Sequence, residues 1–164
     1  MVEAGCSGNI DFLHDAIRGD GTILQKLHSL GTTNTPLHLA SMFGHAEFVI
    51  EYISLSSISA YQLSQLNQDG YSPLHLASTN DHLEIVQFLL EFGKHKSALE
   101  ELYAAKEVTV HQESVLHLVV KHHQQEVLVF LMDQKLGLSV QNLLNRGDRE
   151  GNTIMHLATA EKQL

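Results

Sequence analysis

The sequence of 164 residues contains one cysteine, two prolines and no tryptophan, and only 6% of its residues are aromatic. A single cysteine, Cys6, excludes an intrachain disulfide, and this usage fits a reducing compartment such as the cytoplasm. No run reaches the roughly 18–20 apolar residues of a membrane-spanning helix, and the N-terminus lacks the basic start and apolar stretch of a secretory signal. We therefore expect a soluble, cytoplasmic domain with a core of aliphatic side chains.

Basic residues are also scarce, since ten lysines and arginines stand against 19 aspartates and glutamates, for a formal net charge of −9. Nucleic-acid-binding domains need a clustered positive surface, so that class of function is disfavoured. The chain has no glycine-rich phosphate loop, no Gly-x-Ser-x-Gly motif and no Cys-x-x-Cys pair. We expect no catalytic residue, no cofactor, no metal and no small-molecule substrate.

One six-residue pattern, by contrast, occurs four times. It reads TPLHLA at 35–40, SPLHLA at 72–77, SVLHLV at 114–119 and TIMHLA at 153–158, so successive copies start 37, 42 and 39 residues apart. Repetition at this period indicates a stack of small units, each of which buries its apolar face only against a neighbour.

The pattern predicts the start of a helix. Threonine or serine at the N-cap accepts from free backbone N–H groups, and Pro36 and Pro73 occupy the N1 position, where a missing N–H costs nothing. The histidine of each copy falls at N3, where its imidazole can reach back to the cap residue as the glutamate of a capping box does. Nine residues after the hydroxyl, Gly44, Asp81 and His123 break the helix, and a second amphipathic segment follows at once.

These features resemble the ankyrin repeat, including the Gly44-His45 turn between its two helices. Ala4 and Gly8 align with Ala40 and Gly44, which extends the resemblance to the N-terminus. It implies an all-α solenoid of about five helix-turn-helix units, with hairpin-like fingers and elongated outer loops. The implied boundaries within a single domain, 1–164, are a degenerate repeat 1–32, repeats 33–68, 69–110 and 111–149, and a truncated repeat 150–164.

The units are longer than the usual ankyrin repeat of about 33 residues. Capping-box-like patterns begin in the extra residues at Ser59, Ser97 and Ser139, and they predict a short third helical turn after the second helix of each complete unit. Elongated units of this kind resemble those of plant ankyrin proteins in which a PGG-type membrane domain commonly follows the repeats. Members of that group are associated with defence and stress signalling.

The resemblance implies a non-catalytic protein–protein interaction scaffold or adaptor in plant signalling or in defence and stress responses. The alternative is the cytosolic part of a multi-pass ankyrin/PGG signalling protein, at the cytosolic face of the plasma membrane, whose transmembrane part is absent from this chain. Several apolar runs of about 20 residues encoded beyond Leu164 would favour the alternative. A small enzyme or metal protein, the third interpretation, would require turnover or bound metal in purified material.

In ankyrin stacks a partner protein or peptide lies in a concave groove lined by the fingers and by the exposed side of the first helices. The family's variable groove positions stand shortly before the hydroxyl residue and seven or eight residues after it. Carried onto this sequence, they predict the partner-binding residues Asn34, Met42, Phe43, Gln68, Asp69, Tyr71, Thr79, Asn80, His111, Glu113, Lys121, His122, Arg149, Glu150 and Asn152. Val110, Ala160 and Glu161 occupy equivalent positions.

Three of these residues are apolar or aromatic, namely Met42, Phe43 and Tyr71. If they are exposed together, they form an anchor of the kind that binding hot spots favour. Alternatively, Phe43 turns inward against the N-terminal repeat.

The twelve histidines have a structural interpretation. The N3 histidines recur once per unit, and packed helices lie about 8–10 Å apart. Zinc–nitrogen bonds are only about 2 Å long, so two of these histidines could not share an ion. His122 and His123 are adjacent and point to different faces of a helix.

The last copy of the pattern has no second helix after it within this sequence. Ile154, Met155 and Leu157 supply the apolar side of its first helix. We therefore expect apolar surface to be exposed at this end of the stack, which favours self-association or a missing segment.

Overall fold

The computed structural model describes residues 1–29, 34–56, 63–96, 108–133 and 143–160. The first helices of the units are α1 (Val2–Ser7), α4 (Pro36–Phe43), α6 (Pro73–Thr79), α8 (Val115–Lys121) and α10 (Ile154–Ala160). The second helices are α2 (Ile10–Gly19), α5 (Ala46–Leu55), α7 (Leu83–Lys96) and α9 (Gln125–Asp133). One further helix, α3 (Ile23–Ser29), follows α2. First and second helices therefore alternate in the order that the repeated pattern predicts.

Each hydroxyl–histidine pair caps a first helix in the predicted way. At α4 the His38 N–H donates to Thr35 Oγ1 at 3.4 Å, and the Thr35 N–H donates to His38 Nδ1 at 3.3 Å, which is a reciprocal capping box. The bond from the cap N–H to Nδ1 recurs at 3.1–3.2 Å in the other three copies, from Ser72 to His75, from Ser114 to His117 and from Thr153 to His156.

The turn between the two helices of a unit passes through one residue in the left-handed region. This residue has φ of 66° at Gly8, 80° at Gly44, 59° at Asp81 and 58° at His123. Glycine adopts this conformation without a steric penalty, whereas aspartate and histidine adopt it against one. The four helix breaks therefore share one geometry although only two of them use glycine.

Two layers of helices form the solenoid. First helices pack in the order α1, α4, α6, α8 and α10, and second helices pack in the order α2, α5, α7 and α9. Ala40, Ala77 and Val119 occupy the same position of three first helices and have no exposed surface. Small side chains at this position let neighbouring helices approach closely. In the described residues the structure thus confirms the predicted all-α solenoid.

The predicted third helical turns are described only in part. Residue 63 and residues 143–144, the ends of two of these segments, are helical, and Leu63 and Leu143 are buried in the core. The segment that begins at Ser97 lies outside the described residues, as do Ser59 and Ser139. Helix α3 was not predicted, and it shows that the first unit also carries helical structure after its second helix.

Candidate binding groove

Each finger is a tight turn closed by one side chain at its base. We number each finger by the unit whose first helix it precedes, as finger 3 (residues 67–71), finger 4 (residues 109–113) and finger 5 (residues 148–152), and each begins two residues before the predicted repeat boundary. In finger 3, Asn67 Oδ1 accepts from the N–H groups of Asp69 at 3.1 Å and Tyr71 at 2.9 Å, while the Asn67 N–H donates to the Tyr71 carbonyl. Thr109 Oγ1 and Asp148 Oδ1 close fingers 4 and 5 in the same way.

Sequence reasoning missed these finger-base residues, although a signal was present. Asn67, Thr109 and Asp148 each stand five residues before the hydroxyl that caps the next helix. Asparagine, aspartate and threonine are the residues that bond to backbone N–H groups two residues on and so favour turns. Their recurrence at one offset therefore marks the base of every described finger.

Asp148 is the only one of these three residues that can ionise. Burial raises the pKa of its carboxyl, but the backbone N–H groups of Asn152 and Glu150 lower it, and the net shift of the pKa is downward. The carboxylate is therefore charged at neutral pH, and it closes finger 5 with charge-assisted hydrogen bonds of 2.9 Å.

The fourth residue of each finger lies in the left-handed region. It is Gly70 at φ 81°, Gln112 at φ 61° and Gly151 at φ 84°. The side chain of Gln112 makes this conformation unfavourable by about 1 kcal/mol, whereas glycine adopts it freely.

We expect Gln112→Gly to raise the free energy of unfolding by about 1 kcal/mol, because it removes this strain. Urea denaturation followed by circular dichroism measures the change. Gln68→Gly, which places glycine in finger 3 at a position without positive φ, is the control and should lower stability slightly. If Gln112→Gly loses as much stability as the control, the backbone of Gln112 is not strained.

Fingers 4 and 5 are hydrogen-bonded to each other, and finger 3 is bonded to Asn34, which lies just before the N-cap residue of α4. Asn67 Nδ2 donates to Asn34 Oδ1 at 2.6 Å, and the Arg149 N–H donates to the His111 carbonyl at 2.9 Å. Between these pairs, a methyl group on Gly70 would come within 2.6 Å of the side chain of the next finger, so the two fingers are in close contact. The fingers therefore form a continuous row.

Two of the N3 histidines, His38 and His117, make a second hydrogen bond to a distant backbone carbonyl. His38 Nε2 lies 3.0 Å from the Gln65 carbonyl, and His117 Nε2 lies 3.1 Å from the Asn152 carbonyl. Since Nδ1 accepts from the N-cap N–H, Nε2 carries the proton and donates to these carbonyls. The sequence indicated the cap but not this second bond, because its acceptor lies 27 or 35 residues away.

A second row of bonds joins the units at the other end of the first helices. The donor is the residue after each left-handed turn, and the acceptor is a carbonyl at the end of the preceding first helix. His45 Nε2 donates to Cys6 at 2.8 Å, His82 Nε2 to Met42 at 3.0 Å, and Gln124 Nε2 to Thr79 at 2.6 Å. Both edges of the first-helix layer are therefore fixed by inter-unit hydrogen bonds.

Most of the predicted partner-binding residues are exposed in the structure. The exposed ones are Met42, Phe43, Gln68, Asp69, Asn80, His111, Lys121, His122, Arg149 and Glu150, together with Val110 and Ala160. The half-buried ones are Asn34, Tyr71, Thr79 and Asn152, and Glu113 is buried. Glu161 lies outside the described residues.

Glu113 differs from the expectation because its carboxylate is already engaged. Lys121 Nζ bonds to Glu113 Oε1, and Thr109 Oγ1 donates to Glu113 Oε2 at 3.2 Å. The hydrogen bond that Lys121 donates to Glu113 raises the pKa of Lys121, and the carboxylates of Asp148 and Glu150 add to this shift. In the fourth unit the predicted groove surface thus carries an ion pair, in which Glu113 holds Lys121.

Met42, Phe43 and Tyr71 are all accessible, but they do not form one cluster. Phe43 is 51% exposed with its ring 6.5 Å from that of His45, so it does not turn inward. The Tyr71 ring packs edge-on against His75, 6.4 Å away, at the beginning of α6. Met42 lies near the C-terminal end of α4, whereas Tyr71 precedes the N-cap of α6, so the two residues lie toward opposite edges of the first-helix layer. These residues border a strip across the groove rather than a single pocket.

Within the described residues, histidine, cysteine, aspartate and glutamate side chains form no group of three that could hold a metal ion. The same part of the chain also contains no helix with the length and apolar character needed to cross a membrane.

Comparison with known proteins gives a consistent result. A family model described as ankyrin repeats, in three copies, matches residues 3–100. Synphilin-1 of Mus musculus is 30% identical over 138 residues, which cover 83% of this chain and 13% of that protein. The B-cell lymphoma 3 protein homolog of Mus musculus is 27% identical over 76% of this chain and 25% of its own length. Ankyrin repeat-containing protein ITN1 of Arabidopsis thaliana is 31% identical over 54% of this chain and 14% of its own. The chain thus spans a quarter or less of each of these relatives.

Proposed function

The chain belongs to the ankyrin-repeat family, and on this basis we propose that it is a non-catalytic scaffold that holds a segment of another protein in its groove. The repeats of this family are protein-interaction modules. The observation that carries the proposal is the row of fingers, which side-chain and backbone hydrogen bonds hold in one arrangement. A surface that is ordered before binding loses less conformational entropy when a partner docks.

The groove has two chemically different halves. The predicted groove side chains of units 2 and 3 are uncharged except Asp69 at the tip of finger 3, and the uncharged ones are Asn34, Met42, Phe43, Gln68, Tyr71, Thr79 and Asn80. Units 4 and 5 carry the Lys121–Glu113 ion pair and the charged residues of finger 5. We place the apolar anchor of the partner on units 2 and 3, because desolvating uncharged side chains costs less than desolvating an ion pair.

The double substitution Met42→Ala and Tyr71→Ala should weaken partner binding by about tenfold or more, because aromatic and large apolar side chains supply most interface free energy. The probe is a peptide selected from a random display library against the native chain, and its affinity is measured by fluorescence anisotropy. Thermal stability should be nearly unchanged, since neither side chain belongs to the core.

Val129→Ala is the matched control, because Val129 is exposed on α9 and not in the groove. It should bind the selected peptide as the native chain does. Equal affinity of the native chain and the double variant would rule out this groove as the binding surface.

We further propose that the partner belongs to a signalling pathway in a plant cell, such as a defence or stress response. Two observations support this: the elongated units and the similarity to ITN1 of Arabidopsis thaliana over 88 residues. Proximity labelling with the native chain and with the groove double variant in plant cells tests it. Labelled signalling proteins that disappear with the double variant support the proposal, and identical labelling by both chains contradicts it.

A further inference from the structure

Gln112, at the tip of finger 4, has a backbone conformation that its residue type disfavours. Its φ is 61°, whereas the equivalent residues of fingers 3 and 5 are Gly70 and Gly151. Two other described residues with a side chain have positive φ, namely Asp81 and His123. Aspartate and histidine are enriched in the left-handed region, and glutamine is not. Gln112 is therefore the one described residue at positive φ that is neither glycine nor of a type that tolerates this conformation well.

The strain at Gln112 has no evident return within the stack. At Asp81 the strained residue stabilises the fold, because its carboxylate accepts from the Val127 N–H of the next unit at 3.4 Å. The Gln112 N–H donates to the Thr109 carbonyl at 2.9 Å, a bond that glycine would make equally well. The side chain of Gln112 is exposed, and in the part of the chain that the structure describes it makes no hydrogen bond. Residues held in such conformations cluster at binding sites, where the strain is part of the function.

The rest of finger 4 holds Gln112 in this conformation. Val108 and Ser114 pair as an antiparallel bridge at the base of the finger, and the Thr109 N–H donates to the Glu113 carbonyl at 2.9 Å. The carboxylate of Glu113 is fixed in turn by the ion pair with α8. The side-chain amide of Gln112 thus projects from a backbone that is ordered before any partner binds, which lowers the entropy lost on binding.

Finger 4 is the middle one of the three described fingers, and it contacts both of its neighbours. The Val110 side chain lies against Gly70 of finger 3, and the His111 carbonyl accepts from the Arg149 N–H of finger 5 at 2.9 Å. A segment that lies along the row of fingers therefore crosses finger 4. The exposed tip, Val110, His111 and Gln112, carries no carboxylate, lysine or arginine, whereas the tips of fingers 3 and 5 carry charged residues.

We propose that Gln112 is a specificity-determining residue of the groove, whose side-chain amide bonds to the main chain of an extended partner segment that is uncharged where it crosses finger 4. The inference rests on the proposed function, since it names what the groove recognises. A primary amide has both a donor and an acceptor, and so it matches the N–H and C=O of a peptide group. An extended segment offers these groups to a partner, whereas a helix uses them internally.

The probe is the display-selected peptide that tests the groove, with affinity again measured by fluorescence anisotropy. Gln112→Met keeps an unbranched side chain of similar length, and with it the strain, but it removes the amide. We expect unchanged stability and about tenfold weaker binding. Gln112→Gly should gain stability and lose affinity to a similar extent, a combination that a purely structural residue does not give. Gln87→Met, the same substitution at an exposed site on α7 outside the groove, is the matched control and should bind normally.

A second set of probes tests whether Gln112 binds the main chain. Each peptide bond of the probe is replaced in turn by an ester, which removes the N–H and weakens the C=O as an acceptor. At one position the ester should weaken binding to the native chain by about fivefold, but it should change binding to Gln112→Met by about twofold or less, because the variant has already lost that bond.

Equal affinity of the native chain and Gln112→Met for the peptide overturns the inference. It is also overturned if no ester distinguishes the two proteins, because Gln112 would then bind a side chain of the probe. The Met42/Tyr71 double variant separates this result from the proposed function. If that variant loses affinity while Gln112→Met does not, the groove binds the peptide without Gln112, whereas equal affinity in both variants and in the native chain removes the groove itself.

Discussion

His117→Ala should lower the free energy of unfolding by about 4 kcal/mol, because the buried imidazole bonds to two backbone groups. Its Nδ1 accepts from the Ser114 N–H at 3.2 Å, and its Nε2 donates to the Asn152 carbonyl at 3.1 Å. The side chain has no exposed surface, so alanine leaves a cavity and deprives both backbone groups of a partner. Chemical denaturation of the native and variant chains measures the difference.

The chain provides its own control for this substitution. His156 has the same place in the last copy of the pattern and makes the same bonds to Thr153, at 3.0 and 3.1 Å, but its side chain is exposed. His156→Ala should therefore cost only the capping contribution, about 1 kcal/mol. Equal losses in the two variants would show that burial and the bond to the next unit add nothing to the cap.

His117→Gln separates the two functions of the histidine. A glutamine at N3 can return the capping bond to the backbone of Ser114, as in a standard capping box. It lacks the ring geometry that carries a second donor to the Asn152 carbonyl. The variant should therefore retain part of the stability that alanine loses, and hydrogen exchange in α10 should be faster than in the native chain.

These local features explain why the fold could be predicted from the sequence. Threonine or serine, proline and histidine within four residues determine where a first helix begins, and each of those interactions spans only three residues. The helix breaks at Gly44, Asp81 and His123 were likewise visible as the end of one apolar pattern and the start of another. Short-range chemistry repeated at a regular period is therefore sufficient to predict the stack.

The features that the sequence did not predict are contacts between units. The position of Glu113 relative to the hydroxyl residue of its unit placed it among the predicted groove residues. That position did not show that Lys121 and Thr109 donate hydrogen bonds to its carboxylate. Positions in the repeat also suggested that Met42 and Tyr71 could form one anchor, although the two residues lie at opposite edges of the first-helix layer. Position within a repeat predicts which layer a residue belongs to, whereas its neighbours in the next unit determine what it can bind.

Gly44→Ala should be nearly as destabilising as His117→Ala, at about 3 kcal/mol. Gly44 has φ of 80°, and an added Cβ would lie 2.6 Å from Cε1 of His82 in the next unit. The imidazole would have to move and would lose its 3.0 Å bond to the Met42 carbonyl. Gly19→Ala is the control, since an added Cβ there meets no atom within 4 Å. The control should be neutral or slightly stabilising in the same urea titration.

The chain itself indicates how the loss at Gly44 can be repaired. Where the left-handed residue is Asp81, the residue that bonds back from the next unit is Gln124, whose amide donates to the Thr79 carbonyl. Where that residue is Gly44, the corresponding donor is the bulkier ring of His82. Gly44→Asp should therefore lower the free energy of unfolding. Adding His82→Gln should recover the part of this loss caused by the steric clash, but not the part caused by backbone strain. A double variant no more stable than Gly44→Asp alone would show that the strain at positive φ, and not the ring of the next unit, is what requires glycine there.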